Sequence, residues 1–466
     1  MFSTSAQEGL SAPDSSLETS EPLSDIYLID ASSDDKEKST HEFQNGEALK
    51  LNLNDCVQMT LLNNRELKSK DYDVEGAEWK AQEAKHLAIP VMEYEFISAP
   101  APRDVDNAVE SFFNFNLTYL QRGKVALGVP LTSFGKIKLA QQLAQSGIEA
   151  EKEKRNEKRN EVVLNVQKLY YGLLLAKDIG DLLRDAKKQM EEELKKREAS
   201  RKALDPAETI RLQLFYREVI KRLGETEKKS ELAWEGLRIQ LGIDKNIPFT
   251  LAEAHLDPVS FELKDFDYYL ELSQRVRPRN RLVDIGLKAS EINYRLEKRK
   301  LAPDIGIGGY YEFGHTTNSI QGLTLTDDFN DPFNFDRAGI GLRVKGEINV
   351  NKYRANVGKA RADYFKVAVA KSMAEEALNL ELKEAYLNVK QGKKDVENAE
   401  QSMKLARQFV FITKTNKDIG VGDKKDYADA LQAYLLSRGR YFESVFNYNV
   451  AVAALRDKTG EGYRGR

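Results

Sequence analysis

Cysteine, histidine and long apolar runs are scarce or missing in this 466-residue chain. A single cysteine, Cys56, rules out an internal disulfide, and four scattered histidines offer no metal-ligand cluster of credible spacing. No metal and no cofactor are therefore expected. No run of 18 apolar residues occurs, which excludes a conventional transmembrane helix but leaves open membrane-spanning strands, whose alternating pattern escapes hydropathy. Charge of one sign is missing too: 71 Lys and Arg stand against 74 Asp and Glu, a formal net charge of −3. With no basic segment interleaved with aromatics, nucleic acid is not an expected partner. Nothing sets a nucleophile beside a base and an orienting group, so no catalytic residue and no enzyme are expected.

Proline is absent from two long stretches. All twelve lie at Pro13, Pro22, Pro90, Pro100, Pro102, Pro130, Pro206, Pro248, Pro258, Pro278, Pro303 and Pro332, leaving residues 131–205 and 333–466 without any. Proline inside a helix costs about 3 kcal/mol, so these gaps are where long helices are permitted. Both are dense in Ala, Leu, Glu, Lys, Gln and Arg, and a helix from near Ser133 to near Lys202 would run roughly 100 Å. Val163, Val166, Tyr170 and Leu173 recur at three-four-three spacing, as do Ala370, Met373, Ala377 and Leu380. Tyr427, Leu431, Tyr434, Tyr441, Val445, Tyr448, Val452 and Leu455 form a heptad broken by Arg438. Such seams predict helices packed side by side, knobs in holes. The run 152–159 interleaves Lys and Arg with Glu and reads as a solvated helix face.

Strand patterns interrupt this helical background. Val91 to Phe96, Asn114 to Leu117 and Lys124 to Val129 are one set; Ile305 to Phe313 and Ala338 to Lys345 are the other. Large apolar residues alternate there with Gly or charge, the period-two signature of a sheet with two unlike faces, at lengths that suit tilted membrane-spanning strands. Phe112, Phe113 and Phe115, with Phe329, Phe333 and Phe335, are placed as strand-end aromatics of an interfacial girdle. Gly306, Gly308 and Gly309 sit inside a strand pattern with no helix opening after them, so they are no phosphate loop. Four strands are too few to close a barrel, and the leftover edges must pair with other copies of the chain.

The two sets belong to an internal duplication. Asn64-Arg65-Glu66-Leu67 precedes Arg277-Pro278-Arg279-Asn280 by 213 residues, Pro90 precedes Pro303 by the same 213, Tyr170 precedes Tyr386 by 216, and Gly242 precedes Gly460 by 218. We divide the chain into a disordered segment at 1–46, a first repeat at 47–242, a linker at 243–265 and a second repeat at 266–461. The first repeat has a hairpin at about 91–130 and long helices at about 133–242; the second has a hairpin at about 304–349 and helices at about 350–460. Each repeat reads as helix, strand pair, very long helix, turn, long helix.

This order, with the strand-to-helix junction Pro130-Leu131-Thr132-Ser133-Phe134-Gly135-Lys136, resembles the TolC-like outer membrane efflux proteins over about residues 47–461. The resemblance implies an α+β membrane protein and a homotrimer: each chain gives four β-strands to one twelve-stranded transmembrane barrel, above a long α-helical coiled-coil barrel in the periplasm. It implies an exit duct for an efflux or type I secretion system, a passive conduit gated at its periplasmic end. Its partners would be outer membrane lipid, a periplasmic adaptor (membrane fusion) protein and an inner-membrane pump.

Gly420-Val421-Gly422-Asp423-Lys424-Lys425-Asp426-Tyr427-Ala428-Asp429-Ala430 matches the family's glycine followed by an Asp-x-x-Asp-Ala run. By that match Asp426 and Asp429 line the periplasmic aperture; by their residue types alone, two acids three apart also suit a helix N-terminus. Subtracting 218 puts Glu208 opposite Asp426, just after Asp205-Pro206, an N-cap with proline at the first helical position. In relatives an acid there can latch the closed entrance to an arginine four residues before the first aspartate. Here that position is Gly422, so a latch would use Lys417 or Lys424. The turns with Asp205 and Pro206 and with Gly420 and Gly422 would face the adaptor. Residues 1–46 show no signal pattern, and a start upstream of Met1 is favoured over a cytoplasmic protein. Cys56 lies inside the first predicted helix, so it is no N-terminal lipid anchor. The rival reading is a soluble coiled-coil scaffold with inserted β-hairpins.

Overall fold

The computed structural model describes residues 49–103, 108–199, 206–316, 334–419 and 424–461. The segment expected to be disordered, 1–46, lies outside them. In chain order the elements are β1 (Leu49–Leu51), α1 (Leu53–Asn63), α2 (Arg65–His86), β2 (Val91–Pro102), α3 (Ala108–Phe113), β3 (Leu117–Thr132), α4 (Lys136–Ala199), α5 (Pro206–Leu241), β4 (Phe249–Leu251), α6 (Phe266–Val276), α7 (Pro278–Arg299), β5 (Asp304–Thr316), β6 (Phe335–Lys345), α8 (Val350–Asp418) and α9 (Lys424–Thr459). The proline-free gaps hold α4, of 64 residues, and α8, of 69. Equivalent helices also match in length: α1 and α6 have 11 residues, α2 and α7 have 22, α5 and α9 have 36.

The first helix of each repeat is two helices, which the sequence reading ran together. Asn64 and Arg277 sit at the breaks in the same extended conformation, φ −62°, ψ 125° and φ −63°, ψ 123°. Asn64 stops α1 and starts α2 by accepting hydrogen bonds from the Glu66 and Leu67 amides. At the second break Pro278 occupies the first helical position instead. Each break is where its repeat closes on itself. Gly242 and Gly460 take φ of +65° and +76°, and a Cβ on either would lie 2.9 Å from Asn63 Cβ or 2.8 Å from Arg277 Cα.

The four long strands form one antiparallel sheet ordered β2-β3-β5-β6. Three corrections to the expected hairpins follow. Phe112 and Phe113 lie on the short helix α3 between β2 and β3, and Phe115 follows it at φ +55°. The segment from Asn114 to Leu117 is not a strand of its own, because only Leu117 joins β3. Two further strands, β1 and β4, pair in parallel from Leu49 with Phe249 to Leu51 with Leu251, so part of the 243–265 linker is sheet. Phe329 and Phe333 lie outside the described residues, and Phe335 opens β6.

Cross-strand register separates the two faces of the large sheet. Met92 stands opposite Leu127, Tyr94 opposite Val125, Val125 opposite Tyr311, and Ile307 opposite Leu342. With Phe96, Ile340 and Val344 these make one apolar face, and its large side chains are exposed. On the other face Glu95 stands opposite Lys124, Lys124 opposite Glu312 and Glu312 opposite Arg337, a row of alternating charge across all four strands. Arg122 holds Glu312 from the same face, Nε to Oε1 at 2.8 Å.

The core lies where the two helical hairpins meet the linker. Val163, Val166, Tyr170 and Leu173 of α4 are buried as their spacing predicts, with Leu237 and Leu241 of α5 and Val445, Tyr448, Val452 and Leu455 of α9. Each such side chain contributes about 1.5–3 kcal/mol by leaving water. Tyr170 donates from its hydroxyl to the Leu51 carbonyl at 3.3 Å, and its equivalent Tyr386 packs edge-on against Phe266, ring centroids 5.5 Å apart. Asp178, nearly inaccessible, accepts from the Leu256 amide and bonds the His255 ring, both at 2.8 Å, pinning the linker to α4. On α8 the expected seam is out of phase. Met373 and Leu380 are exposed, and the buried row is Leu378, Leu382, Ala385, Val389 and Val396. The helix is apolar on more than one face, and spacing alone does not say which face meets its own chain.

The 152–159 run is likewise more than a solvated face. On α4, Lys152, Arg155 and Lys158 pair with Glu78, Asp71 and Glu66 of α2, at 3.3 Å for the first and 2.6 Å for the last. Offset around the same helix, Glu149, Glu153 and Glu157 pair with Lys288, Arg281 and Arg279 of α7 at 3.7, 3.1 and 2.7 Å. Lys371 of α8 then pairs with Asp284 of α7. One helix is zipped to two neighbours by opposite charges.

Candidate functional site

Two helical hairpins, α4 with α5 and α8 with α9, carry the predicted site residues at the ends remote from the sheet. Pro206 is the first residue of α5, so its missing N–H falls where no intrahelical partner exists. Glu208 follows within the first turn. Lys424 opens α9, and Lys417 lies in the last turn of α8. The side chains of Glu208, Lys417 and Lys424 are outside the described residues, as are Asp205, Gly420 and Gly422, so the structure places no latch contact.

Asp426 and Asp429 are placed. Both are exposed, three residues apart at the start of α9, while Ala430 beside them is fully buried and fixes which way the turn faces. Residues three apart are neighbours on a helix surface, so the two carboxylates share one patch. Neither takes part in an ion pair among the described residues. The geometry serves both readings of the pair: acids in a first turn favour the helix dipole, and an exposed acidic patch also attracts cations.

A small cluster holds the hairpins together near these ends. Ala186 and Met190 of α4 pack with Val219 of α5, and Leu435 of α9 reaches the same cluster. Tyr216 donates to Glu191 at 2.7 Å, which pushes the phenol above its ordinary pKa. Between α4, α5 and α9 runs a groove of about 900 Å³ lined by Leu182, Phe215, Leu435 and Arg440 among others. Arg438, the break in the α9 heptad, lies with its guanidinium 5.6 Å from the centre of the Phe442 ring. A cation seated on an aromatic thus substitutes for an apolar knob.

Sequence reasoning missed the charged row on the sheet and the zipper on α4. Both were visible as alternation, but only strand register and helix pairing say which charges meet. At the strand-to-helix junction, Thr132 accepts from the Phe134 amide at 3.2 Å and Lys136 reaches Asp304 at 2.7 Å, tying the start of α4 to the start of β5. Among the described residues no helix is long and apolar enough to cross a membrane, and no group of acidic, histidine and cysteine residues is placed to hold a metal.

A four-stranded sheet with an exposed apolar face and a charged face, carried at one end of two pairs of very long helices, is an architecture shared with solved outer membrane channels. Solved structures of that class match the whole described architecture. The outer membrane channel CmeC of Campylobacter jejuni is 18% identical, with a TM-score of 0.72 over 95% of this chain and 94% of that one. The open state of the MtrE outer membrane channel of Neisseria gonorrhoeae is 15% identical, with a TM-score of 0.71 over 90% and 93%. The outer membrane protein VceC of Vibrio cholerae is 13% identical, with a TM-score of 0.70 over 88% and 96%. The chain therefore has the fold of the TolC-family outer membrane efflux channels. No protein-family model and no curated protein matches the sequence.

Proposed function

We propose that this chain is one third of a passive exit duct in the outer membrane of a Gram-negative bacterium, serving a tripartite efflux or type I secretion system. The observation that carries the reading is the sheet: one face apolar and exposed, the other charged, and both edges without a partner strand among the described residues. Exposed open edges and an exposed apolar face suit neither water nor a lone subunit. Three copies would join four strands each into a closed barrel of twelve, apolar face to lipid and charged face to a water-filled lumen. The long helices would continue that lumen through the periplasm. Specificity for cargo would reside in an inner-membrane pump reached through a periplasmic adaptor, which would meet the hairpin ends around 203–207 and 419–424. No catalysis is part of this function.

In the trimer Asp426 and Asp429 would form rings totalling six carboxylates at the periplasmic aperture, an element that favours cations. Purified protein in planar bilayers is expected to form a cation-preferring pore, and Asp426→Asn with Asp429→Asn to lose most of that preference. A pore whose selectivity ignores both substitutions would remove these residues from the aperture. Fractionation tests the duct against the scaffold reading: the duct partitions with outer membranes and needs detergent, and a protein that stays soluble without detergent contradicts it.

A further inference from the structure

The two open edges of the sheet are oppositely charged on its polar face. Near the helix-bearing end, β2 presents Glu93 and Glu95 and β6 presents Arg343 and Lys345; all four are exposed, and the registers place them on the face of Lys124 and Glu312. None of the four has an ion-pair partner among the described residues. Lys345 stands opposite Asp304, whose carboxylate already meets Lys136 at 2.7 Å. Unlike edges of this kind fit a second copy of the same chain, head to tail.

The strand limits also give the offset at which the edges meet. Measured from the row Glu95, Lys124, Glu312 and Arg337, β2 runs from Val91, four residues below the row, to Pro102, seven above. β6 runs from Phe335, two above, to Lys345, eight below. Strand centres therefore drift about 1.5 residues per strand, which is about six per chain and a tilt of about 45° in a twelve-stranded barrel. Six is even, so the polar face stays polar across the join. An antiparallel pairing of β6 with the next copy's β2, offset by six, sets Arg337 opposite Ala101, Arg343 opposite Glu95, and Lys345 opposite Glu93. We propose that these charge pairs close the barrel between copies and fix its register, an inference that rests on the trimeric reading above.

Crosslinking tests the register directly in full-length protein purified in detergent. Glu95→Cys with Arg343→Cys, treated with a short bismaleimide, is expected to give covalent dimer and trimer. Glu95→Cys with Arg337→Cys, the pairing of an unstaggered closure, is expected to give little. The native Cys56 is fully buried and its thiol is pushed up to about 12 by burial, so it stays silent. The reverse pattern, or no product from the Glu95→Cys, Arg343→Cys variant while it sediments as a trimer, overturns the register while leaving the trimer intact. A wild-type chain that sediments as a monomer overturns the trimer and the register together. For the charges, Glu95→Arg or Arg343→Glu alone should weaken the trimer against heat in detergent, and the double reversal should restore it. Failure of the double to recover what either single loses would overturn the pairing.

Discussion

Asn64 and Arg277 occupy equivalent breaks yet solve them with different chemistry. Asn64 caps its helix and donates from its amide to Gln240 Oε1 at 2.9 Å. Arg277 is buried, donating to the Leu378 carbonyl at 3.1 Å and to Glu381 at 2.6 Å. Glu381 is 38% exposed and keeps Arg279 and Lys458 at 3.6 and 3.5 Å, so Arg277→Met is expected to cost about 1–3 kcal/mol in chemical unfolding, mainly the lost hydrogen bonds of the buried guanidinium. Glu381 gives the pH signature. Desolvation pushes its pKa up, but the Arg277 hydrogen bond and the charges of Lys458, Arg277 and Arg279 outweigh it and hold the carboxyl below its ordinary value. A depressed carboxyl contributes stability that is present above the unfolded pKa, about 4.3, and lost as pH falls through the folded one. Asp457 in the same cluster is pushed up by burial and works with the opposite sign, so the wild-type acid titration mixes the two. Subtracting the pH dependence of Glu381→Gln from that of wild type should isolate a loss confined to pH below about 5. Gly460→Ala puts a methyl against Arg277 Cα at positive φ and should cost about 2–3 kcal/mol in a thermal melt, with Gly242→Ala close behind.

At the scale of elements, what the sequence disclosed depended on whether a signal was one-dimensional. Proline gaps are: the first, 131–205, delimited α4 closely, whereas the second, 333–466, holds β6, α8 and α9 together and marks the limits of none of them. The α9 heptad is too, and its lower half from Val445 to Leu455 is buried as expected. The phase of the α8 seam is not, because Met373 and Leu382 are both apolar and only the neighbouring helix chooses between them. The break at Asn64 was hidden because asparagine does not forbid a helix, whereas the one at Arg277 was signalled by Pro278 and went unread. Asp426 and Asp429 were legible as a helix start, whereas their role depends on copies of the chain. The α4 zipper depends on pairing in the same way, which makes it testable. Surface pairs are worth about 0–1 kcal/mol each, so the set should act mainly on register between α2, α4 and α7. Lys152→Glu with Arg155→Glu and Lys158→Glu should lower stability by about 1–3 kcal/mol, more at low salt than high, in thermal melts at two ionic strengths. Equal losses at both would mean that packing, not charge, had been disturbed.

For the whole molecule, the distribution of burial is the informative feature. One end is a sheet with exposed apolar side chains, the middle is a dense core of α1, α4, α5, α8 and α9, and the far end holds the last turns of α4 and α8 and the first turns of α5 and α9. Such a chain should require detergent for extraction, and its mass in micelles, after correction for bound detergent, should be three times that of one chain. The core also sits near the C-terminal ends of α5 and α9, at Leu237 and Leu241 and at Val445 to Leu455, with the first turns of both helices far from it. Each of these 36-residue helices, about 54 Å long, is fixed by the core at one end and held again about a third of the way from the other, where Val219 and Leu435 meet the small cluster. Only about a dozen residues of each lie beyond that second hold, a length of about 18 Å, over which a tilt of about 5° moves the tip by less than about 2 Å. The acids at 426 and 429 therefore ride on α9 as on a braced beam, and any sizeable displacement of them has to carry the hairpin of α8 and α9 along as one body.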